Sequence, residues 1–341
     1  MKEVLLRNLL KHKFTREFLD SFIKIKNHDK NNFLLQESIR RSAISVFEFD
    51  KLALNIPPAY FHANGDIQLY GFYHGLLKYI NGKNIGYHVA NEHGFIFSSF
   101  VHKHFLYQDT IITFSDYREK HISKEYPTKK IIKIGPYIHY VDSLLNNDDF
   151  KELKIRLGKT LLVFPFHSID GVISEFDNEE LLSVIEERRK DFDTILVCLY
   201  FKDIQIGRAK DYIDKGYKVV TAGHSNDAFF LNRLKSIMEL SDSIISNEVG
   251  SYIAYAVYLK KTIELIRQKT VLSYEKSNEN NANAIALIDI RKHWDEYNLM
   301  QDKLFKIFDG HILNNSDYEY VTTLFGLNHI KTASELYELL E

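Results

Sequence analysis

Short apolar runs alternate with helical stretches over most of the chain after residue 55. In the first part, three runs that each end in a small or polar turn predict strands at 84–90, 109–114 and 130–134. A second series is clearer, and its five predicted strands lie at 159–164, 194–200, 217–221, 242–246 and 262–266. Strands that alternate with helices in this way form parallel sheets. The pattern therefore predicts the α/β class, with two Rossmann-like, doubly wound parallel sheets.

The segment 141–158 separates the two series, because it is polar and acidic in its middle and carries no strand signal. We therefore predict an N-terminal domain at 1–145 and a C-terminal domain at 155–300. Residues 301–341 are mostly helical and are expected to pack back across the cleft between the domains. The total of 341 residues agrees with two domains at roughly 150 residues each.

The first 30 residues form a basic segment with eight basic and four acidic side chains, a net charge of +4. Five apolar side chains recur at helical spacing, namely Leu5, Leu9, Phe14, Phe18 and Phe22. The segment therefore predicts a basic amphipathic helix. Such a stripe usually packs on its own domain. The alternative is a peripheral contact with a membrane surface.

Composition narrows the classes of partner and the compartment. The chain has 44 Lys and Arg against 46 Asp and Glu, so the charge balance disfavours a broadly basic surface that coats nucleic acid, and no nucleic-acid partner is expected. The single cysteine, Cys198, lies in an apolar run and is predicted to be buried. The N-terminus does not resemble a secretory signal, and no window reaches the roughly 18 apolar residues of a membrane span. We expect a cytoplasmic protein, with any peripheral contact at the inner face of the cytoplasmic membrane.

Polar side chains follow three strands of the second series, where an open parallel sheet binds its ligands. His167 and Ser168 follow the first of these strands, and His224 follows the third. The fourth strand runs through Ser246-Asn-Glu-Val-Gly-Ser251 directly into a helix. Free backbone N–H groups and the positive end of the dipole at such a helix start bind phosphate. These strand ends therefore predict a site that binds the phosphate of a donor substrate.

Each residue of the fourth strand end has a candidate role at this site. Ser246 and Ser251 could donate hydroxyl hydrogen bonds, and Asn247 lies in the same turn. Gly250 allows a ligand to approach the backbone, and Glu248 could accept hydrogen bonds from ribose hydroxyls. The structural alternative is that Ser251 caps the helix, Gly250 makes a turn and the two histidines serve the core.

The N-terminal domain supplies a candidate base. Glu92-His93-Gly94 follows the first predicted strand and is expected to face the cleft. A carboxylate or imidazole there could take a proton from an incoming hydroxyl, a role that contributes a factor of roughly 10² to 10⁴ in rate. The alternative is a loop in which His93 and Gly94 merely turn the chain. Asp66 and His74 are further cleft candidates. They are predicted to bind the acceptor, which is the substrate that carries this hydroxyl.

Several chemistries lack their sequence signatures. The chain contains no Gly-x-Gly-x-x-Gly, no Gly-x-x-x-x-Gly-Lys-Ser/Thr and no Gly-x-Ser-x-Gly, which disfavours dinucleotide oxidoreductases, phosphate-loop ATPases and serine hydrolases. No two His or Cys residues stand at zinc-ligand spacing with a third nearby. We therefore expect neither a metal nor another cofactor.

Taken together, these segments resemble the GT-B glycosyltransferases. Residues 109–121 and 134–137 look like the last strands of a GT-B acceptor domain. Residues 164–168, 222–224 and 246–255 look like a donor domain from bacterial capsule or lipopolysaccharide clusters. The resemblance implies that a nucleotide sugar binds the second domain. It also implies that a glycan or lipid-linked glycan acceptor binds the first.

The chain departs from that pattern at informative places. The paired glutamates of many retaining enzymes are absent, because Ala256 stands eight residues after Glu248. Inversion is therefore favoured, with Glu92 or His93 as base. Sialyl- and Kdo-type transferases use cytidine monophosphate donors, and the pairs His167 with Ser168 and Ser246 with Ser251 fit them in part, although their His-Pro pair is missing. The donor stays open between cytidine and uridine types, with a lean towards cytidine.

Two functions of other classes remain open on the sequence. One is a nucleotide-sugar 2-epimerase of the same fold, which would consume nucleotide sugar without an acceptor. The other is a non-catalytic partner in glycan assembly, held at the membrane by the basic N-terminal helix. Such a partner would bind no nucleotide.

Overall fold

The computed structural model describes residues 12–58, 65–83, 85, 88–103, 105, 108–274 and 294–340. The described chain begins with three helices, α1 (Lys13–Lys26), α2 (His28–Ser42) and α3 (Phe49–Leu52). A short 3₁₀ segment (Gly65–Gly71) leads into α4 (Phe72–Tyr79). Leu34 and Ser38 are buried on the inner side of α2, and Phe72 and Leu76 are buried on α4.

The first sheet has three parallel strands in the order β1–β2–β3. These are β1 (Val89–Asn91), β2 (Thr110–Thr113) and β3 (Lys130–Lys133), with helix α5 (Asp116–Glu125) between the last two. All residues of β1 and β2 are buried, because helices and loops cover both faces of the sheet. A 3₁₀ turn at Tyr137–Tyr140 and helix α6 (Asn147–Leu157) connect this sheet to the second one.

The second sheet has five parallel strands in the order β7–β6–β4–β8–β9. Its strands are β4 (Thr160–Phe164), β6 (Thr194–Cys198), β7 (Lys218–Val220), β8 (Ser243–Ser246) and β9 (Thr262–Leu265). The connecting helices are α7 (Asn178–Arg189), α8 (Phe201–Gln205), α9 (Ala209–Asp214), α10 (Phe230–Leu240) and α11 (Ser251–Tyr258). The strand order reverses between β4 and β8, and ligands of open α/β sheets bind at such a switch point.

The N-terminal helices contact the second half of the chain, and the C-terminal helices contact the first half. Arg41 of α2 forms an ion pair of 2.8 Å with Asp227, which follows β7. The N–H of Thr221 donates to the carbonyl of Val46, so the segment after α2 also contacts the second sheet. The sequence prediction groups the N-terminal helices with the domain at 1–145, and Arg41 adds a buried ion pair between α2 and the second half of the chain.

After β9 the chain continues through α12 (Trp294–Ile307), α13 (Asn315–Phe325) and α14 (Ala333–Leu340). The N–H of Lys331 donates to the hydroxyl of Tyr140, and the hydroxyl of Tyr79 donates to the carbonyl of Lys331. Both tyrosines belong to the first half of the chain, so the C-terminal helices pack against the first sheet.

The predicted α/β class is confirmed, and each of the eight predicted strands overlaps an observed one. The sequence missed the antiparallel pair β5 (Val172–Glu175) and β10 (Val271–Tyr274), whose short segments carry little apolar signal. Cys198 is buried as predicted, and burial raises the pKa of its thiol to about 12. Within the described ranges, no helix has the length and apolar character needed to span a bilayer.

Candidate active site

A cavity of about 420 Å³ lies between the two sheets at the switch point. The segment that follows β4 and the segment that follows β8 form its second-sheet side. The segment that follows β1 closes it from the first sheet, and Tyr297 of α12 also lines it. Two parallel-sheet units that face one cleft are the arrangement of the GT-B fold, in agreement with the predicted α/β class.

The start of helix α11 opens into this cavity. Gly250 and Ser251 both line it, and Gly250 immediately precedes the helix. The hydroxyl oxygen of Ser251 accepts a hydrogen bond of 2.8 Å from the N–H of Phe95, which belongs to the segment after β1. A hydroxyl that accepts one hydrogen bond keeps its own proton to donate. Ser251 therefore joins the two halves of the cleft and can still donate to a ligand.

Gly94 makes this junction possible. A Cβ atom at Gly94 would lie 2.9 Å from the Ser251 hydroxyl oxygen. That separation is shorter than contacts to carbon normally allow, so any larger residue would displace the Ser251 hydroxyl. The sequence prediction had placed Gly94 only as part of a turn.

The other polar side chains at the end of β8 form hydrogen bonds within the protein. Ser246 is buried, and its hydroxyl donates to the carbonyl of Phe164 at 2.6 Å. The hydroxyl of Tyr252 also contacts Ser246 at 2.6 Å and donates to the carbonyl of Glu248. The Ser246 hydroxyl therefore does not reach the cavity, contrary to its predicted role as a hydrogen-bond donor to the phosphate of a ligand.

Glu248 is an anchor for helix α12. Its carboxylate accepts hydrogen bonds from Tyr297 at 2.7 Å, from Thr270 at 2.8 Å, from the side chain of Gln301 and from the N–H of Val249. These four hydrogen bonds use the carboxylate lone pairs that the predicted hydrogen bonds from ribose hydroxyls would need. Glu248 lines the cavity, but its carboxylate is committed to holding α12 against the β8 loop.

Asn247 and Ser168 are likewise positioning residues. Asn247 is fully buried, and its side chain accepts a hydrogen bond of 2.7 Å from the N–H of Phe166. Ser168 is fully buried as well, and its N–H donates to Asp203 at 3.1 Å. Neither side chain lines the cavity, because both point into the body of the domain and fix the loop after β4.

The two predicted donor histidines are separated. His167 lines the cavity, and its ring lies 4.7 Å from that of Tyr200. His224 is buried instead, with its ring 4.1 Å from Phe201 and its Nδ1 accepting from the N–H of Asn226. Burial lowers the pKa of His224 to about 4. The predicted histidine pair does not form, because His224 follows the edge strand β7 and lies away from the switch point.

Glu92 and His93 point in different directions. Glu92 is fully buried and forms an ion pair of 2.6 Å with Arg118, which is fully buried too. Thr113 also donates a hydrogen bond to this carboxylate. His93 lines the cavity, with its ring 5.0 Å from that of His102 and 6.3 Å from that of Tyr70. Glu92 therefore does not reach the cleft, and of the two predicted bases His93 alone lies there.

The predicted acceptor residues add little to this cavity. His74 packs its ring 4.9 Å from Phe229 and does not line the cavity. Burial lowers the pKa of His74. Asp66 falls within the 3₁₀ segment, but its side chain lies outside the described part of the structure. In the ranges that the structure describes, no group of three or more His, Cys, Asp or Glu residues could hold a metal ion.

Aromatic residues make up much of the wall and carried no sequence signal, since the chain contains 21 Tyr and 24 Phe. Tyr70 is one of them, and its φ of 61° lies in the left-handed region that non-glycine residues rarely adopt. The hydroxyl of Tyr70 lies 3.3 Å from that of Tyr200, which links the two sides of the cleft. The full aromatic set at the cavity is Tyr70, Phe72, Phe95, Phe97, Phe100, Tyr137, Phe164, Phe166, Tyr200, Phe230, Tyr252, Tyr255 and Tyr297.

Comparisons with known proteins give limited information. No family model and no curated protein matches the chain. Among solved structures, the wall teichoic acid polymerase TagF is similar over 68% of this chain, with a TM-score of 0.38 and 14% identity. MnaA of S. aureus, in a co-structure with UDP, is similar over 67%, with a TM-score of 0.34 and 13% identity.

This chain covers 56% of the TagF chain and 64% of the MnaA chain. Similarities this weak carry no argument about function. The GT-B class therefore rests on the two parallel sheets and the cleft between them.

Proposed function

We propose that the protein is an inverting, metal-independent glycosyltransferase of bacterial surface-glycan assembly. It moves a sugar from a nucleotide donor to a hydroxyl group of a glycan or lipid-linked glycan. One observation carries this proposal: the cavity at the switch point of the second sheet is closed from the first sheet by the segment that contains His93. A donor at the switch point would therefore have a proton acceptor opposite it.

The donor phosphate is assigned to the start of α11. Backbone N–H groups and the helix dipole favour an anion there without a basic side chain. His167 lies on the same side of the cavity. Neither Lys nor Arg occurs among the described lining residues. A leaving group with one phosphate needs less compensation than one with two, which supports the lean towards a cytidine monophosphate donor.

The reaction proceeds by in-line displacement. His93 takes the proton from the acceptor hydroxyl, and the acceptor oxygen attacks the anomeric carbon of the donor sugar. The bond from that carbon to the phosphate oxygen breaks, and the electron pair leaves with the phosphate. The helix N-terminus stabilises the developing charge, so the step requires no metal. Attack from the face opposite the leaving group inverts the anomeric configuration.

Ser251 couples donor and base in this mechanism. Its oxygen holds the N–H of Phe95, two residues after His93, while its proton can be donated to a phosphate oxygen. Ser251 and Gly94 thus set the distance between the leaving group and the base.

Nucleotide binding and sugar consumption test the proposal. Thermal-shift measurements compare cytidine monophosphate, uridine diphosphate and guanosine diphosphate, and we expect the largest stabilisation from the cytidine nucleotide. Donor consumption is then followed with and without glycan acceptors. Transfer that requires an acceptor supports the proposal, whereas donor consumption without any acceptor favours an epimerase. If none of the three nucleotides stabilises the protein, the glycosyltransferase assignment fails and a non-catalytic role replaces it.

A further inference from the structure

Helix α1 carries a continuous apolar stripe that the described protein leaves exposed. Phe14, Phe18, Phe22 and Ile25 are 79%, 64%, 55% and 77% exposed. Their spacing of four, four and three residues places them on one helical face. The sequence favoured packing of this stripe on its own domain, and the structure does not show that packing.

The helix that follows is firmly attached to the protein. Arg41 and Arg233 both bind the buried carboxylate of Asp227, at 2.8 and 3.0 Å. The guanidinium of Arg233 also donates to the carbonyl of Arg41 at 2.9 Å. On the outer side of the same helix, Phe33 and Ile39 are exposed. The exposed stripe is therefore followed by a helix that is anchored to the second half of the chain, and that helix also has exposed apolar side chains.

The charge of this region differs in sign from that of the rest of the chain. Residues 12–40, which precede the buried Arg41, contain six basic and four acidic side chains, a net charge of +2. The whole chain has a net charge of −2, so the remaining residues carry −4. A basic helix with a phenylalanine-rich apolar face is suited to the boundary between headgroups and acyl chains of an anionic bilayer. A second copy of this chain that packed its own α1 against the stripe would bring like charges together instead.

We propose that α1 lies in the surface of an anionic phospholipid bilayer, with Phe14, Phe18, Phe22 and Ile25 inserted into the acyl boundary. Lys26, at the end of the same helix, contacts the phosphate headgroups. The proposal does not depend on the glycosyltransferase assignment, because it rests on the exposure and charge of α1 alone. If both hold, the enzyme works at the surface that presents a lipid-linked acceptor.

Vesicle flotation with the full chain provides the test. We expect binding to phosphatidylcholine vesicles that contain phosphatidylglycerol, weak binding to pure phosphatidylcholine, and loss of binding at high salt. Replacing one inserted phenylalanine, in Phe18→Ser, should reduce partitioning at least about tenfold, because burial of such a side chain contributes on the order of 1.5–3 kcal/mol. Ile312→Ser is the matched control, since Ile312 is 97% exposed outside this surface.

A fluorescent label distinguishes the other occupants of the stripe. Because Cys198 is buried, Phe22→Cys provides a selectively reactive thiol for an environment-sensitive dye. We expect a polar emission spectrum in solution and a blue shift on anionic vesicles. A blue-shifted spectrum without vesicles would show that residues 1–11 or a second copy covers the stripe, with sedimentation separating the two, and it would overturn the proposal. Unchanged flotation of Phe18→Ser would do the same. Transfer to a soluble acceptor is measured in parallel and reports on the enzyme assignment independently.

Discussion

The strand-end residues of this protein fall into two regions, one that faces the cavity and one that is sealed from it. His93 and His167 belong to the first region, and Glu92 and His224 belong to the second. Glu92 and His93 are neighbours in sequence, yet one carboxylate is ion-paired in the core and one imidazole lines the cleft. The side-chain direction, and not the residue type, decides which strand-end residue can meet a substrate.

Within the second sheet, the same division follows the strand order. His167 follows the central strand β4, which borders the switch point, whereas His224 follows the edge strand β7. The loops after β4 and β8 open into the cavity because the connections from those strands diverge to opposite sides. The connection after β7 is instead covered by the segment after α2, where the N–H of His224 donates to the carbonyl of Leu52.

The largest expected effect separates the histidines by activity. His93→Gln should lower the transfer rate by roughly 10² to 10⁴, because the base is removed while the size of the side chain is kept. His224→Asn is the matched control and should change the rate by less than about threefold, since a side chain sealed from the cavity contributes no proton transfer. Steady-state kinetics at saturating donor measure both. Equal losses in the two variants would abolish the distinction between the regions.

The burial of the Glu92 carboxylate can be tested through the free energy of unfolding. Arg118→Leu leaves the buried Glu92 without its cation, and breaking a buried pair in this way costs about 3–5 kcal/mol. Urea unfolding measures the loss. The double variant Glu92→Gln with Arg118→Leu should recover a large part of it, because no buried charge then remains. If the single variant is as stable as the parent protein, the proposed burial of this pair is wrong.

Ser251 should show a smaller effect on activity, since it joins the two regions without reacting. Ser251→Ala removes both the acceptor for the Phe95 N–H and the donated proton, and we expect a loss of about 5- to 150-fold from the roughly 1–3 kcal/mol of an unmet hydrogen bond. Ser251→Thr keeps the hydroxyl and should retain most of the rate. Gly94→Ala should resemble the alanine variant, because its Cβ would displace the same hydroxyl. Full activity in Ser251→Ala would exclude the coupling.

His224 should also make the stability of the protein depend on pH. The pKa of His224 is about 4 in the folded protein, against 6.5 ordinarily, because burial disfavours the charged imidazole. Below pH 6.5 His224 therefore binds a proton in the unfolded chain and stays neutral in the folded protein. The free energy of unfolding falls as the pH decreases towards 4. His224→Asn should flatten this decline in urea titrations between those pH values. An identical slope in both proteins would contradict the sealed position.

The sequence predicted the fold better than the site, and particular residues show why. The strands were predictable because apolar runs such as 159–164 mark the buried interior of a sheet whatever their neighbours are. The start of α11 was predictable because a strand, a glycine and a helix follow one another in sequence. The partners of Glu92 and Glu248 were not predictable, since Arg118 and Tyr297 lie 26 and 49 positions away and approach only in the folded chain.

The hydrogen bond between Ser251 and Phe95 also bears on the order in which substrates enter. An anion at the start of α11 would draw the serine proton towards itself and fix the orientation of the hydroxyl, which leaves the oxygen lone pairs turned towards the Phe95 amide. The first substrate thereby strengthens the hydrogen bond that already joins the wall on which the second substrate binds. Initial-rate patterns should accordingly be those of a sequential mechanism with compulsory order, in which the activated sugar enters first and the spent nucleotide departs last.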